Sequence, residues 1–158
     1  MSAAVKDLPP RIRTMHQEDV PAIAALEQAA YEFPWSPGIF RDCLLAGYTA
    51  CTLEGDGEVE GYAVMSVAAG EAHLLNICIA PHLRGNGTGR RLLQHMLQAA
   101  RDAGAECVFL EVRPSNKDAL RLYNAAGFEV IGVRHGYYRA VSGNEDAVVL
   151  VLRFGDTN

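Results

Sequence analysis

The chain has 158 residues, 49% hydrophobic, 21% charged and 8% aromatic, the composition of one domain large enough to bury a core. Nineteen acidic against fourteen basic residues leave a formal charge of -5, which removes the basic footprint that a nucleic-acid backbone requires. No apolar run reaches the roughly 18 residues of a membrane span, and Met1 to Pro10 holds no apolar signal-peptide core, so neither nucleic acid nor membrane is an expected partner and the cytoplasm is the expected location.

A polar, proline-containing lead over residues 1–10, expected to be disordered, precedes a single domain expected over 11–158. Ile12 and Arg13 read as a first strand. Gln17-Glu18-Asp19 then opens a helix with acid in its first turn, and Val20, Ile23, Leu26 and Ala30 recur at helical spacing. Phe33-Pro34-Trp35 interrupts it. Ser36 as N-cap, with Pro37 at the first helical position, starts a second helix through Leu45. Tyr48 to Leu53 and Val59 to Ala68 are β-rich runs joined by the hairpin signal Glu54-Gly55-Asp56-Gly57-Glu58, and Ala72 to Ile79 is a third.

After the glycine-rich turn Pro81 to Gly89, Leu92, Leu93, Met96, Leu97 and Ala100 mark an amphipathic helix ending near Gly104. Cys107 to Val112 is a nearly continuous apolar run, the pattern of a strand buried on both faces. Ser115-Asn116 caps a helix carrying Ala119, Leu122, Tyr123 and Ala126, which Gly127 closes. Glu129 to Tyr138 and Asp146 to Phe154 complete the count. This order predicts an α/β (α+β) fold whose sheet starts antiparallel and becomes mixed.

Cys43, Cys51, Cys78 and Cys107 offer no C-x-x-C pair and sit in apolar surroundings, so they read as buried reduced thiols. His16, His73, His82, His95 and His135 are scattered without metal-ligand spacing, and no metal site is expected.

The informative segment is the strand, turn and helix start running from Asn76 through Arg91. Its glycines let backbone N–H groups converge, and a helix N-terminus adds its dipole there, so the turn suits a phosphate or pyrophosphate. A P-loop is excluded, because Arg90 stands five residues after Gly85 and no Lys-Ser or Lys-Thr pair exists. A dinucleotide fingerprint fails too, since Gly85 and Gly87 would require glycine at position 90.

Arg84-x-x-Gly87-x-Gly89, following Ile79-Ala80-Pro81, resembles the acetyl-CoA pyrophosphate loop of the GNAT superfamily of N-acetyltransferases. The resemblance extends from about Ile12 to Phe154. Within it, Phe33-Pro34-Trp35-Ser36, Leu110-Glu111-Val112-Arg113, Ser115-Asn116, Leu122-Tyr123, Gly127-Phe128, Tyr137-Tyr138 and Glu145-Asp146-Ala147 are similar to the RimI type, the bacterial ribosomal-protein alanine N-acetyltransferases. The resemblance implies a GNAT fold, acetyl-CoA as co-substrate and a ribosomal-protein N-terminus as acceptor. It implies cofactor contacts from Arg84, Gly85, Asn86, Gly87, Thr88, Gly89 and Arg90, from Asn116, and from the backbone of Ile77, Cys78 and Ile79, along which the pantetheine arm would lie as an added strand.

Acyl transfer from a thioester to an amine needs a neutral amine, donors for the developing oxyanion and a proton for the departing thiolate. At pH 7 about one α-amine in ten is already neutral, against roughly one lysine in 2,500, so an α-amine needs only modest base assistance. Glu111 lies within an apolar run, where burial is expected to raise its pKa toward the range of a working base, and the resemblance makes it the proton acceptor. The resemblance also makes Tyr123 the acid that protonates the CoA sulfur. The residues alone leave open a strand-edge glutamate, a packing tyrosine and a merely capping Asn116. His135 to Tyr138 and Glu145-Asp146 are candidates to flank an acceptor peptide, or an ordinary final hairpin.

Overall fold

The computed structural model describes residues 9–141 and 143–155, so residues 1–8 of the expected lead and 156–158 of the expected domain lie outside the described residues. The described residues form seven strands: β1 (Arg11–Thr14), β2 (Thr49–Gly55), β3 (Glu58–Ala68), β4 (Glu71–Ile79), β5 (Cys107–Val112), β6 (Glu129–Ala140) and β7 (Gly143–Arg153). The helices are α1 (Val20–Ala30), α2 (Pro37–Leu45), α3 (Thr88–Asp102) and α4 (Lys117–Ala125). The strands hydrogen-bond in the order β1-β2-β3-β4-β5-β7-β6. β4 and β5 run parallel, while β1–β2, β2–β3, β5–β7 and β6–β7 are antiparallel, the mixed sheet expected from the element order. The described residues pack as two units: one from Pro9 to Met65 with Asn76–Met96, the other Ser66–Leu75 with Leu97 onward.

In the first unit the β2–β3 hairpin is tighter than the five-residue signal suggested. Asp56 and Gly57, both at positive φ (52° and 78°), make the two-residue turn whose twist matches paired strands. The helix expected from Gln17 begins as a 3-10 turn, Gln17–Asp19, and becomes α-helical only at Val20. Asp19 is committed there: its carboxylate accepts from the His16 backbone N–H (2.8 Å) and from both terminal nitrogens of Arg13 (2.8 and 2.9 Å). Ser36 caps α2 as expected, its hydroxyl accepting from the Ile39 N–H at 3.3 Å.

The buried stripe of α1 departs from expectation. It is Val20, Ile23, Ala24 and Glu27, whereas Leu26 and Ala30 are only half-buried. A glutamate thus holds a core position, 3% exposed, with three donors on it: the Tyr62 hydroxyl (2.5 Å), the Asn76 side-chain amide (2.9 Å) and the Trp35 backbone N–H (3.0 Å). These bonds fix the Phe33–Trp35 linker against the strands. Glu27→Ala strands those donors at about 1 kcal/mol or more each, so the thermal midpoint should fall by roughly 6 to 12 °C, read by calorimetry.

In the second unit β5 alternates buried and half-buried residues, so the expectation of a strand buried on both faces is corrected. Val108, Leu110 and Val112 fill the core, while Cys107, Phe109 and Glu111 occupy the other, partly open face. The run reads as continuous only because Cys107 and Phe109 are themselves apolar. Cys107 is accordingly half-buried, unlike the other three cysteines. α3 shows its expected stripe without exception: Leu92, Leu93, Met96, Leu97 and Ala100 are all buried. No helix among the described residues is long and apolar enough to cross a membrane.

Candidate active site

The glycine-rich turn lies in the first unit. Pro81–Leu83 forms a 3-10 turn after β4, and Gly85 and Gly87 adopt φ of 82° and 85°, a conformation that turns consecutive N–H groups toward one side. The Arg91 N–H returns to the Gly87 carbonyl at 3.0 Å, so Gly87 is the last residue before α3. The first-turn N–H groups of a helix have no intrahelical acceptor and carry its positive dipole end. The Asn86 side-chain oxygen reaches the Thr88 N–H (3.4 Å) and accepts from the Thr88 hydroxyl (2.6 Å), setting the entry to the helix. A cavity of about 390 Å³ opens on this turn, lined by Leu83, Asn86, Gly87, Thr88 and Arg91. A Cβ built on Gly85 or Gly87 meets nothing within 4 Å, so neither glycine is demanded by packing. The exposed guanidinium groups of Arg84 and Arg90 add positive charge, and the donor set suits a pyrophosphate.

Upstream on β4, the Ile77 carbonyl accepts a hydrogen bond from the Tyr31 hydroxyl at 3.1 Å, and burial pushes the Cys78 thiol upward in pKa. The parallel pairing of β4 with β5 covers Glu71–His73 and Cys107–Phe109. Ile77 to Ile79 stand beyond that ladder.

Glu111, Asn116 and Tyr123 all lie in the second unit. The Glu111 side chain is 8% exposed and its Oε1 lies 2.8 Å from Nε2 of His73, whose ring stacks on Phe109 at 4.4 Å. Here the structure corrects the expected pKa direction. Burial does raise the Glu111 carboxyl, but the hydrogen bond and charge of His73, the charge of Arg134 and the Tyr137 hydroxyl outweigh it and hold it below the usual carboxylate range. Glu111 is therefore an anion at neutral pH, ready to accept a proton.

Tyr123 is 6% exposed and packs edge-on against Phe128, ring centroids 5.6 Å apart. Burial, reinforced by the neighbouring Tyr138, raises its phenol well above the ordinary value. Tyr138 is raised likewise, by burial and then by the charge of Glu111, so it lies in electrostatic reach of both Glu111 and Tyr123. Asn116 caps α4, its side chain accepting from the Ala119 N–H at 3.2 Å, which leaves its amide NH2 as an exposed donor.

The final hairpin is not ordinary. Its register shifts between Arg134 and Tyr138, where Gly136 takes φ of 64° and its N–H donates to Asp146 Oδ1 at 2.9 Å. This bulge brings Arg134, Tyr137 and Tyr138 toward Glu111. Glu145 accepts from the Ser115 N–H (2.9 Å), the Ser115 hydroxyl (3.0 Å) and Arg113 (3.2 Å), while the Arg113 guanidinium covers the Tyr138 ring at 4.5 Å. Sequence reasoning missed Glu27 and His73. The apolar-stripe spacing of α1 held the signal for Glu27; for His73, which pairs across two strands distant in sequence, there was none.

The glycine-rich turn suits a pyrophosphate, and Glu111 and Tyr123 are an anionic carboxylate and a buried phenol, residue types that an acyl-CoA-dependent acyltransferase uses. Residues 15–128 match the model of the "Acetyltransferase (GNAT) family". The chain is 35% identical over 141 residues to the "[Ribosomal protein bS18]-alanine N-acetyltransferase" of Escherichia coli K12, covering 89% of this chain and 95% of that protein. The Haemophilus influenzae protein of the same name is 34% identical, with coverages of 84% and 90%. The crystal structure of the Escherichia coli ribosomal-protein-S18-alanine N-acetyltransferase superposes with a TM-score of 0.87 at 33% identity, over 94% of this chain and 96% of that one. Arabidopsis thaliana Naa50 in complex with the bisubstrate analogue CoA-Ac-MVNAL shares the fold, with a TM-score of 0.81 at 18% identity over 93% of this chain and all of that one. The chain belongs to the GNAT family of acetyltransferases.

Proposed function

We propose that the protein transfers the acetyl group of acetyl-CoA to the N-terminal α-amine of a protein, the alanine that opens a small-subunit ribosomal protein, in the cytoplasm. The observation that carries this reading is the identity of 35% spread over 89% of the chain and 95% of a relative named for that activity. The site residues agree with it chemically. In this reading Glu111 accepts the proton lost by the amine, directly or through a water, and Tyr123 protonates the departing CoA thiolate. Arg84 to Arg90 hold the pyrophosphate, Ile77 to Ile79 offer backbone groups to the pantetheine arm, and the Asn116 amide contributes a further cofactor contact. No metal takes part, and residues 11–158 act as one acetyltransferase domain.

The attacking nitrogen becomes far more acidic once it bonds to the thioester carbon, so an acceptor as weakly basic as Glu111 suffices at that stage. The attack that precedes it requires a neutral amine, which favours an α-amine over a lysine.

The test is acetylation of peptides with a mass read-out and free CoA counted in parallel. An alanine-starting ribosomal-protein peptide should be modified at its α-amine at least about tenfold faster than internal lysines or small amines, in line with the amine populations. Preferential lysine or small-amine acetylation overturns the acceptor, and CoA binding without turnover overturns the activity.

The pyrophosphate assignment has its own test in Gly87→Val. The added side chain meets nothing in the fold, so the variant should still fold, with its thermal midpoint lowered by only about 2 to 10 °C by strain at φ 85°, and because a β-branched residue does not keep that φ the loop's N–H groups must turn away. Losing even one charge-assisted hydrogen bond weakens acetyl-CoA binding by about tenfold, measurable by titration calorimetry. An unchanged affinity in the folded variant refutes the assignment.

A further inference from the structure

Glu111 projects from the partly open face of β5, and its side chain has several torsions, so burial alone does not hold the carboxylate in one orientation. His73 supplies that constraint. Its Nε2 lies 2.8 Å from Glu111 Oε1, and because Glu111 is an anion at neutral pH, the nitrogen must carry the hydrogen and donate it. That N–H is present in the neutral tautomer so fixed and in the imidazolium alike, so the bond does not depend on the charge of the histidine. The imidazole is itself held in place. His73 stands opposite Phe109 in the parallel β4–β5 ladder, and the two rings stack with centroids 4.4 Å apart and planes 21° from parallel. Phe109 lies two residues before Glu111 on the same face of β5, so strand pairing, ring stacking and the hydrogen bond all fix one geometry. Arg134, Tyr137 and Tyr138, from β6, also act on the carboxylate. The charge of Arg134 steadies the anion without choosing between its oxygens, whereas the bond from His73 is made to one of them.

We propose that His73 is a positioning residue for acetyl transfer: its Nε2–H ties down Oε1 of Glu111, so that Oε2 of a carboxylate held in one orientation takes the proton of the attacking amine. The inference rests on the reading of Glu111 as proton acceptor. In that step the amine N–H bond breaks, its electron pair stays on nitrogen, and an O–H bond forms on Oε2, directly or through water. His73 keeps its own proton throughout, and release of the Oε2 proton to solvent restores the pair as it began. A base already set in place spends less of the barrier on orientation. A ring needed only to pack on Phe109 would serve equally well without a nitrogen, and that separates the two roles.

The experiment measures kcat and KM with acetyl-CoA and an alanine-starting peptide for wild type, His73→Gln, His73→Phe, Glu111→Gln and the variant combining Glu111→Gln with His73→Phe. Acetyl-CoA affinity by calorimetry checks that each is folded. His73→Gln keeps an N–H donor and loses the ring; His73→Phe keeps a ring on Phe109 and loses the donor. His73→Phe should lose about tenfold in kcat with KM for the peptide little changed, a part of the roughly 100-fold or more that a general base contributes. His73→Gln should stay within about threefold of wild type. In the Glu111→Gln background, His73→Phe should cost less than about twofold, because His73 acts through the carboxylate. The Glu111 carboxyl, followed by carboxyl-carbon NMR, should titrate higher in His73→Phe than in wild type or His73→Gln, since a hydrogen bond that favours the anion is lost while burial remains. The reverse order of rates, with His73→Phe at the wild-type rate and His73→Gln slow, overturns the proposal and makes His73 a packing residue. A His73→Phe loss of the same size in the Glu111→Gln background overturns it too. If both His73 variants keep the wild-type rate while Glu111→Gln is slow, the positioning role is wrong and the reading of Glu111 stands. If Glu111→Gln turns over at the wild-type rate, that reading falls and this inference with it.

Discussion

Glu111→Gln should acetylate an alanine-starting peptide about 100-fold or more slowly than wild type near pH 7, with acetyl-CoA affinity unchanged. The amide fills the same space and can still hydrogen-bond His73, so the loss isolates the ability to take a proton. The sign of the pH dependence follows from two groups. Glu111 is held below the ordinary carboxylate range by His73, Arg134 and Tyr137, so it is already ionised across pH 6 to 9 and does not change state there. The substrate α-amine, with a reference pKa near 8, becomes neutral over the upper half of that window. Neutralisation of the amine should speed wild type and variant alike, and the deficit should shrink toward pH 9 only as rising hydroxide takes the bonded nitrogen's proton in place of Glu111. A deficit of constant size from pH 6 to 9 would assign Glu111 to holding the substrate in place, with the proton taken elsewhere.

Tyr123→Phe should bind acetyl-CoA within a factor of about two of wild type and transfer acetyl roughly 100-fold more slowly. The variant removes one oxygen and keeps the ring on Phe128. Among the described residues the Tyr123 hydroxyl makes no hydrogen bond, so its removal should cost the fold less than the 1 kcal/mol or so of a typical lost bond. A reference tyrosine giving its proton to a thiol-forming sulfur is uphill by about 2 kcal/mol, and burial raises the Tyr123 phenol further. Donation must then accompany C–S cleavage, when the sulfur charge develops beside the phenol. The upward shift also has a sign: Tyr123 stays protonated to beyond pH 10, so no alkaline limb below that value should belong to it. A variant that binds acetyl-CoA normally and acetylates at near the wild-type rate shows that Tyr123 is a packing residue, and the thiolate departs without its help.

Some of this molecule was legible in sequence order alone, because the signals concerned act over a few residues. Ser36-Pro37 starts α2, Asn116 starts α4, and the Leu92 to Ala100 stripe is the buried face of α3, as capping chemistry and helical spacing require. The Arg84 to Gly89 turn was also readable, since positive φ at Gly85 and Gly87 belongs to the residue type. The resemblance carried by the motifs then placed the chain in its family.

Other features required the fold. Whether a carboxylate within an apolar strand is raised or lowered depends on what stands opposite it, and burial alone pointed the wrong way for Glu111. His73 comes from a strand 38 positions earlier and Arg134 and Tyr137 from a strand 23 to 26 positions later, and their charge and hydrogen bonds reverse the effect of burial. The alternation of β5 was hidden because Cys107 and Phe109 are apolar on the half-open face. Glu27 was not singled out along the chain, and its place as a buried acceptor depends on Tyr62, Asn76 and Trp35, which donate to it. The bulge at Gly136 depends on Asp146, ten residues away across a hairpin. Backbone preference and periodicity are local properties and are written along the chain, whereas a pKa and a buried hydrogen-bond network belong to groups that meet only after the strands have paired.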